Sequence, residues 1–82
     1  MKSTQKLQQI RLEKGFSQSG LSESAGVSLK TLQKYESKAL DINGAKLLTL
    51  LKLCNALDCR LEDILDDSET LAALERYNGD FE

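Results

Sequence analysis

Apolar residues recur three or four positions apart along most of the chain, which is the spacing of one helix face rather than of a strand. This pattern predicts an all-α fold, a compact bundle of five short helices, extended by a sixth helix at the C-terminus. We place these helices at residues 3–14, 18–25, 29–37, 44–57, 61–65 and 68–77. Residues 78–82 are expected to form a frayed tail.

Capping residues mark where several of these helices begin and end. Gly15 and Gly26 follow the first two helices, at a position where the left-handed backbone conformation is common. Ser17 and Ser28 precede the second and third helices, and their hydroxyls can accept from the free N–H groups of a first turn. Asn43 is the corresponding cap predicted for the fourth helix. The second and third helices are therefore short and separated by a tight turn.

The apolar faces predict which side chains form the core. The fourth helix carries so many apolar residues that we expect it at the centre of the molecule. On the first three helices the predicted core residues are Leu7, Ile10, Leu12, Leu32 and Tyr35. On the fourth helix they are Leu47, Leu50, Leu51, Cys54 and Leu57, with Leu48 and Leu53 widening the face. The last two helices add Leu61, Ile64, Leu65, Leu71, Leu74 and Tyr77.

The third helix has an outer face of a different kind. Lys30, Gln33 and Lys34 lie opposite its two core residues, and Ser37 follows them on the same side. This face carries hydrogen-bond donors and positive charge, and it is expected to face solvent.

The charge of the chain is polarised along the sequence. Its formal net charge is −2, but residues 1–40 contain seven basic and three acidic residues, whereas residues 41–82 contain four basic and ten acidic ones. Residues 1–40 therefore have a net charge of +4, and such a concentration of positive charge favours binding to phosphates. The alternative interpretation is a chance segregation of solvated surface charge.

Length and composition exclude several classes of protein. Eighty-two residues support one core, and no run is long and apolar enough to span a membrane, so we expect a cytoplasmic protein. Without histidine, Cys54 and Cys59 are interpreted as reduced core thiols rather than zinc ligands. No glycine-rich phosphate loop is present, so we predict no enzyme activity, no cofactor and no metal. The clustered acids Glu62, Asp63, Asp66 and Asp67 are interpreted as solvated helix-end charge.

Residues 18–37 follow the twenty-residue pattern of a helix-turn-helix. Counted from Gln18, the small fifth residue is Ser22 and the ninth, which needs positive φ, is Gly26. More widely, residues 7–65 resemble the lambda-repressor/Cro-type family of small bacterial and phage regulators, which includes the xenobiotic-response-element-like proteins. The segments that carry this resemblance, in family order, are residues 10–18, 25–28, 32–36, 50–57 and 61–65.

The resemblance implies sequence-specific binding of double-stranded DNA and regulation of transcription, by repression, with the helix at residues 29–37 in the major groove. The residues implied to bind DNA are Gln18, Ser28, Leu29, Lys30, Gln33, Lys34 and Lys38, with Lys14 or Lys6 as further phosphate contacts. For Ser28 a capping role alone explains the residue equally well. A lone surface lysine is most often merely solvated.

Arg11 and Glu36 match a family pair that forms a partly buried ion pair between the first and third helices. The alternative is two exposed charges that contribute little to stability.

Three departures from the family pattern also matter. Leu29 replaces a polar residue, Arg60 is a poor N-cap for the fifth helix, and residues 39–42 are apolar and acidic instead of basic. The last departure predicts weaker nonspecific DNA binding, or a protein contact made by Leu40 and Ile42.

One such domain covers only half of an operator, so the resemblance implies a homodimer on an inverted repeat. We assign residues 1–66 to the DNA-binding domain and residues 67–82 to a C-terminal extension. The predicted dimer surface consists of Leu61, Leu65, Leu71, Leu74 and Tyr77, although a helix folded back on its own core would use the same residues. The alternative function is a protein-interaction module, or an antitoxin-type component that mainly binds a partner protein such as a toxin.

Overall fold

A computed structural model describes residues 6–80, and this part of the chain is all-helical, with no strand. The helices are α1 (Lys6–Glu13), α2 (Gln18–Ala25), α3 (Leu29–Glu36), α4 (Leu47–Leu57), α5 (Leu61–Ile64) and α6 (Ser68–Asp80), with a 3-10 turn at Ile42–Gly44. The predicted first helix began at residue 3, and residues 3–5 lie outside the described part. The predicted bundle of five short helices with a sixth at the C-terminus is confirmed.

The turns on either side of α2 follow the predicted capping chemistry. The Ser17 hydroxyl accepts from the backbone N–H of Gly20 at 2.9 Å, and the Ser28 hydroxyl accepts from that of Thr31 at 3.4 Å. Gly15 and Gly26 have φ of +82° and +72°, in the left-handed region that only glycine adopts without cost. These local features fix the length of α2 and the start of α3.

The core lies between α2, α3 and α4 and is closed by α1 and α5. Leu21, Leu32 and Leu53 are fully enclosed, one from each of the three central helices. Leu7 from α1 and Ile64 from α5 seal the two sides. The predicted central position of the fourth helix is consistent with this packing.

The beginning of α4 was predicted wrongly. The helix starts at Leu47, and Asn43 lies in the preceding 3-10 turn instead of capping it. The Asn43 side-chain oxygen accepts from the backbone N–H groups of Asp66 and Asp67, at 3.0 and 3.1 Å. Asn43 therefore ties the 3-10 turn to the link between α5 and α6, which a pattern of neighbouring residues cannot reveal.

The prediction of the core face was wrong for four leucines. Leu47, Leu48 and Leu51 are exposed, although α4 turns Leu50, Leu53, Cys54 and Leu57 into the core. Leu48 and Leu51 lie beside and behind that core face, and Leu47 is the first residue of the helix, one turn before the first buried residue. Leu12 of α1 is likewise 58% exposed. The three leucines of α4 stand in a run so rich in apolar residues that periodicity alone does not choose a face. Leu12 has polar neighbours, and it is exposed because α1 turns Leu7 and Arg11 inward.

The last two helices pack on the same core. Leu65 is buried, and Leu61, Leu71 and Leu74 are half-buried against the core residues. The helix α6 continues to Asp80, so residues 78–80 are helical instead of frayed; residues 81–82 of the predicted tail lie outside the described part. Tyr77 was predicted inward and is 62% exposed.

Candidate nucleic-acid interface

The helix α3 turns one face to the core and the other to solvent. Leu32 and Tyr35 are buried, whereas Lys30, Gln33 and Lys34 are exposed. The two groups lie on opposite sides because of the 3.6-residue period of the helix. An exposed row of long polar side chains thus stands on a helix whose orientation is fixed by packing.

The turn between α2 and α3 is closed by hydrogen bonds that do not involve the exposed face. The Ser22 hydroxyl donates to the Val27 carbonyl, and the backbone N–H groups of Gly26 and Val27 both donate to the Ser22 carbonyl, at 3.0 and 3.1 Å. Val27 is buried beneath the turn. The angle between the two helices is therefore set by a small, internally bonded unit.

A buried ion pair joins α1 to α3. Arg11 Nε donates to Glu36 Oε2 at 2.7 Å and Arg11 Nη2 donates to Glu36 Oε1 at 3.1 Å, with side chains only 7% and 3% exposed. Arg11 Nη1 also donates to the Phe16 carbonyl at 2.8 Å. This two-point geometry is the strong form of a carboxylate–guanidinium interaction, and it holds the C-terminal end of α3 against α1.

The same carboxylate fixes the first residue of α2. Gln18 Nε2 donates to Glu36 Oε1 at 3.0 Å, and since a carboxylate only accepts, the Gln18 oxygen must point the other way. That oxygen accepts from Gln33 Nε2 at 3.4 Å. A chain of hydrogen bonds thus runs from the buried Arg11 through Glu36 and Gln18 to an exposed side chain of α3.

The remaining predicted DNA-binding residues lie around the same face. Ser28 is exposed at the N-cap of α3, and Leu29 follows it with 38% of its surface exposed. Lys38 lies just beyond the C-cap Ser37 and is exposed, with φ of +69°. All seven predicted DNA-binding residues therefore belong to α3, to its two ends, or to the adjoining start of α2.

The prediction for Lys6 was wrong. Its ammonium donates to the carbonyls of Glu62 and Leu65, at 2.7 and 2.6 Å, and so caps the end of α5. This contact joins the start of α1 to a helix fifty-six positions away, and no local pattern predicts it. Lys14 is exposed and stays a candidate phosphate contact. The expected protein contact by Ile42 was also wrong, because Ile42 is buried in the core.

The role of Glu36 as an anchor for Gln18 was missed at the level of sequence. The resemblance paired Glu36 with Arg11 alone, and the two residues Gln18 and Glu36 are eighteen positions apart in different helices. The only sequence signal is that an amide and a carboxylate stand at the two ends of the helix-turn-helix. Their contact depends on the angle between α2 and α3.

The cysteines are packing residues in this structure. Both thiols are free; Cys54 is buried and Cys59 is half-buried. Burial, helped by the neighbouring Cys59 thiol, raises the pKa of Cys54 to about 12, and burial also raises the pKa of Cys59. Both therefore stay protonated at neutral pH, which disfavours a thiolate role. Within residues 6–80 no group of three or more acidic or thiol side chains is arranged to hold a metal ion.

Comparison with known proteins identifies the unit that this geometry forms. A family model described as a Cro/C1-type helix-turn-helix DNA-binding domain matches residues 6–69. This chain belongs to the Cro/C1-type helix-turn-helix family. The match covers α1 to α5, the 3-10 turn and the start of α6, so the resemblance drawn from the sequence is confirmed.

A solved structure supports the same assignment. The N-terminal DNA-binding domain of SinR from Bacillus subtilis superposes with a TM-score of 0.66 and 32% sequence identity, over 76% of this chain and 87% of that domain. Comparison with functionally curated proteins gives no match. Both matches are described as DNA-binding domains. None of the described helices is long and apolar enough to cross a membrane.

Proposed function

We propose that this Cro/C1-type domain binds a specific double-stranded DNA sequence with α3 in the major groove and thereby represses transcription in the cytoplasm. The observation that carries this proposal is the exposed row of Lys30, Gln33 and Lys34 on α3. The opposite face of this helix is packed in the core, and its C-terminal end is fixed by the ion pair between Arg11 and Glu36. An α-helix fits the B-DNA major groove, where the pattern of donors and acceptors identifies each base pair. The helix-turn-helix supplies the brace that such docking needs.

The hydrogen-bond chain prepares Gln33 to read one base. A primary amide has two N–H donors and one carbonyl oxygen, and the Gln18 oxygen occupies one of those donors. One N–H and the oxygen of Gln33 are left for a ligand. Adenine presents an acceptor at N7 and a donor at N6 in the major groove, which is the complement of that pair. We therefore assign Gln33 to adenine, with Gln18 and Glu36 as positioning residues.

The other residues of the face divide between bases and phosphates. Lys30 and Lys34 can donate to guanine O6 and N7, and Leu29 can pack only on an apolar group such as the thymine methyl. Ser28 lies at the start of α3, and Lys38 lies beyond its end. We assign these two to the phosphate backbone on either side of the groove, where contacts set the position of the helix.

We propose a homodimer on an inverted repeat, because one α3 reaches only one half-site. In this proposal residues 1–66 form the DNA-binding domain and residues 67–82 its C-terminal extension. The competing function is a helix-turn-helix scaffold that mainly binds a partner protein, as an antitoxin binds a toxin. Exposed Leu29 and the net charge of −2 are the features that favour it, and DNA selection separates the two.

Selection of bound sites from random duplexes tests this function directly. We expect the wild-type protein to enrich one sequence as an inverted repeat, with half-sites about one helical turn apart. Lys30→Ala with Lys34→Ala should abolish enrichment at an unchanged unfolding midpoint. The matched control, Arg60→Ala with Arg76→Ala, removes the same charge from exposed sites outside α3 and should leave binding intact.

Two further readouts report on mechanism. Binding should fall steeply with salt, and the slope should decrease by about one for each phosphate-contacting lysine that is removed. Gln33→Ala should relax the preference for adenine at one position of each half-site. Enrichment of no sequence by the folded wild-type protein would refute sequence-specific DNA binding and favour the partner-binding function.

A further inference from the structure

Of the four side chains that are proposed to reach the bases, only one carries a hydrogen-bond acceptor. Lys30 and Lys34 have donors alone, and Leu29 has neither a donor nor an acceptor. Gln33 adds the side-chain oxygen of a primary amide. Among these four residues, an amino group that points into the major groove therefore has only the Gln33 oxygen to bind.

The orientation of the Gln33 amide is set by the residue behind it. Gln18 Oε1 accepts from Gln33 Nε2 at 3.4 Å, and Gln18 Nε2 donates to Glu36 Oε1 at 3.0 Å. A carboxylate has no hydrogen to donate, so Glu36 decides which end of the Gln18 amide faces α3. A reversed Gln33 amide would place its oxygen against the Gln18 oxygen, and the two would repel each other.

The inner end of this hydrogen-bond chain is rigid and the outer end is open. Arg11 donates to Glu36 twice, at 2.7 and 3.1 Å, and the Glu36 side chain is only 3% exposed. Gln18 is half-buried, and Gln33 is exposed. Within residues 6–80 no side chain donates to the Gln33 oxygen. The direction of this exposed oxygen is therefore fixed from inside the domain.

The base that fits this amide has a donor that can be removed by a single methyl group. In a base pair, one N6 hydrogen of adenine is bonded to thymine, and the other points into the major groove beside the N7 acceptor. The free N–H and the oxygen of Gln33 match N7 and that second hydrogen. Methylation of N6 in a paired duplex replaces the groove-facing hydrogen, so the methyl group lies where the Gln33 oxygen would bind.

The fixed amide has no inexpensive way to adapt to this change. The Gln33 oxygen would enter the interface without a donor, and a polar group left unsatisfied away from water is costly. Rotation of the amide would move the oxygen away from the methyl group, but it breaks the hydrogen bond to Gln18. A lysine on a flexible stem carries no such constraint. The selectivity against the methyl group thus depends on Gln18 as well as on Gln33.

We infer that this domain binds its operator tightly only while the adenine opposite Gln33 is unmethylated at N6, and that Gln18 enforces this selectivity by holding the Gln33 amide. The inference rests on the proposed DNA-binding function, and it adds a chemical state of the DNA that regulates binding. Methylation of this one adenine switches the operator from the bound to the unbound state.

The test compares two duplexes that differ by one methyl group. The position is the adenine of the selected site whose preference is lost in Gln33→Ala, and the duplexes carry adenine or N6-methyladenine there. In fluorescence-anisotropy titrations at one salt concentration, we expect wild-type protein to bind the methylated duplex about 5- to 150-fold more weakly, the range of one bidentate base contact. Methylation of an adenine outside the site should leave the affinity unchanged.

Three variants assign the effect to the amide. Gln33→Ala should bind the unmodified duplex more weakly than wild type and should bind the methylated duplex equally well. Gln18→Ala should retain only part of the discrimination, because the released Gln33 amide can rotate away from the methyl group. The control Gln9→Ala removes an exposed amide from α1 and should keep both the affinity and the discrimination. Thermal unfolding verifies that each variant is folded.

The results that overturn the inference are distinguishable from a failure of DNA binding. Wild-type protein that binds both duplexes equally, or a selected site with no adenine that depends on Gln33, would refute the inference and leave the DNA-binding function intact. An equal loss in Gln33→Ala would show that methylation acts through the shape of the duplex. Unchanged discrimination in Gln18→Ala would refute the positioning role of Gln18. Wild-type protein that enriches no sequence would instead refute the proposed function itself.

Discussion

At the scale of single residues, the carboxylate of Glu36 connects stability with recognition. It accepts from Arg11 on α1 and from Gln18 on α2, and only 3% of its side chain is exposed. The surroundings of such a group have little water to replace a missing partner. Removal of the carboxylate therefore leaves a buried guanidinium unpaired and frees the amide that positions Gln33.

We predict that Glu36→Ala lowers the free energy of unfolding by about 3–5 kcal/mol, because it leaves Arg11 as an uncompensated buried charge. The matched control is Glu62→Ala, whose partner Arg60 lies 3.7 Å away with 79% of its side chain exposed. That exposed pair should contribute less than about 1 kcal/mol. Urea denaturation of both variants measures the difference, and similar losses in the two would contradict the buried-pair interpretation.

At the scale of elements, the sequence predicted best where structure is decided locally. The bounds of α2 and the start of α3 follow from Ser17, Gly26 and Ser28, each of which acts on neighbouring backbone. The exposed face of α4 was not predictable, because apolar residues of this helix lie on all of its sides and only tertiary packing selects the buried side. The contact between Gln18 and Glu36 was missed for the same reason, because it depends on the angle between two helices.

The end of α2 provides a test at this scale. Gly26 has φ of +72°, and no neighbouring atom lies within 4 Å of the place that a Cβ would take, so a side chain there is disfavoured by backbone conformation alone. We predict that Gly26→Ala lowers the free energy of unfolding by about 1–2 kcal/mol, and Gly26→Asn by less, since asparagine tolerates this region better.

Gly44 is the control for that prediction. It also has open space where a Cβ would lie, but its φ is not positive. Gly44→Ala should therefore be neutral or slightly stabilising, because alanine restricts the unfolded chain more than glycine does. Thermal or urea unfolding of the three variants separates the two effects, and equal losses at positions 26 and 44 would show that φ is not the cause.

At the scale of the whole molecule, a chain with a net charge of −2 has its basic residues concentrated in the half that contains α3. Residues 1–40 hold an excess of four positive charges and include α1, α2 and α3, whereas the acidic residues concentrate in the second half of the chain. The sequence alone predicted this separation, because it depends only on counting. It did not predict that the Lys6 ammonium donates to the carbonyls at the end of α5 and is therefore not a phosphate contact.

The buried thiol in the core makes the stability of the whole fold sensitive to alkaline pH. Burial raises the pKa of Cys54 to about 12 from an ordinary value of 9.0, so above pH 9 the unfolded chain loses this proton while the folded chain keeps it. Unfolding then releases a proton, and rising pH favours the unfolded state. The contribution of Cys54 is therefore fully present below pH 9 and is lost progressively between pH 9 and 12.

We predict that the free energy of unfolding, measured by urea denaturation in the presence of a reductant, falls more steeply from pH 8.5 to about 10.5 in the wild-type protein than in Cys54→Ala. The variant starts lower, because the substitution leaves a small cavity in the core. The slope and not the starting value is therefore the diagnostic quantity. All other ionisable groups are present in both proteins, so parallel pH profiles would show that the Cys54 thiol ionises as readily in the folded protein as in the unfolded chain.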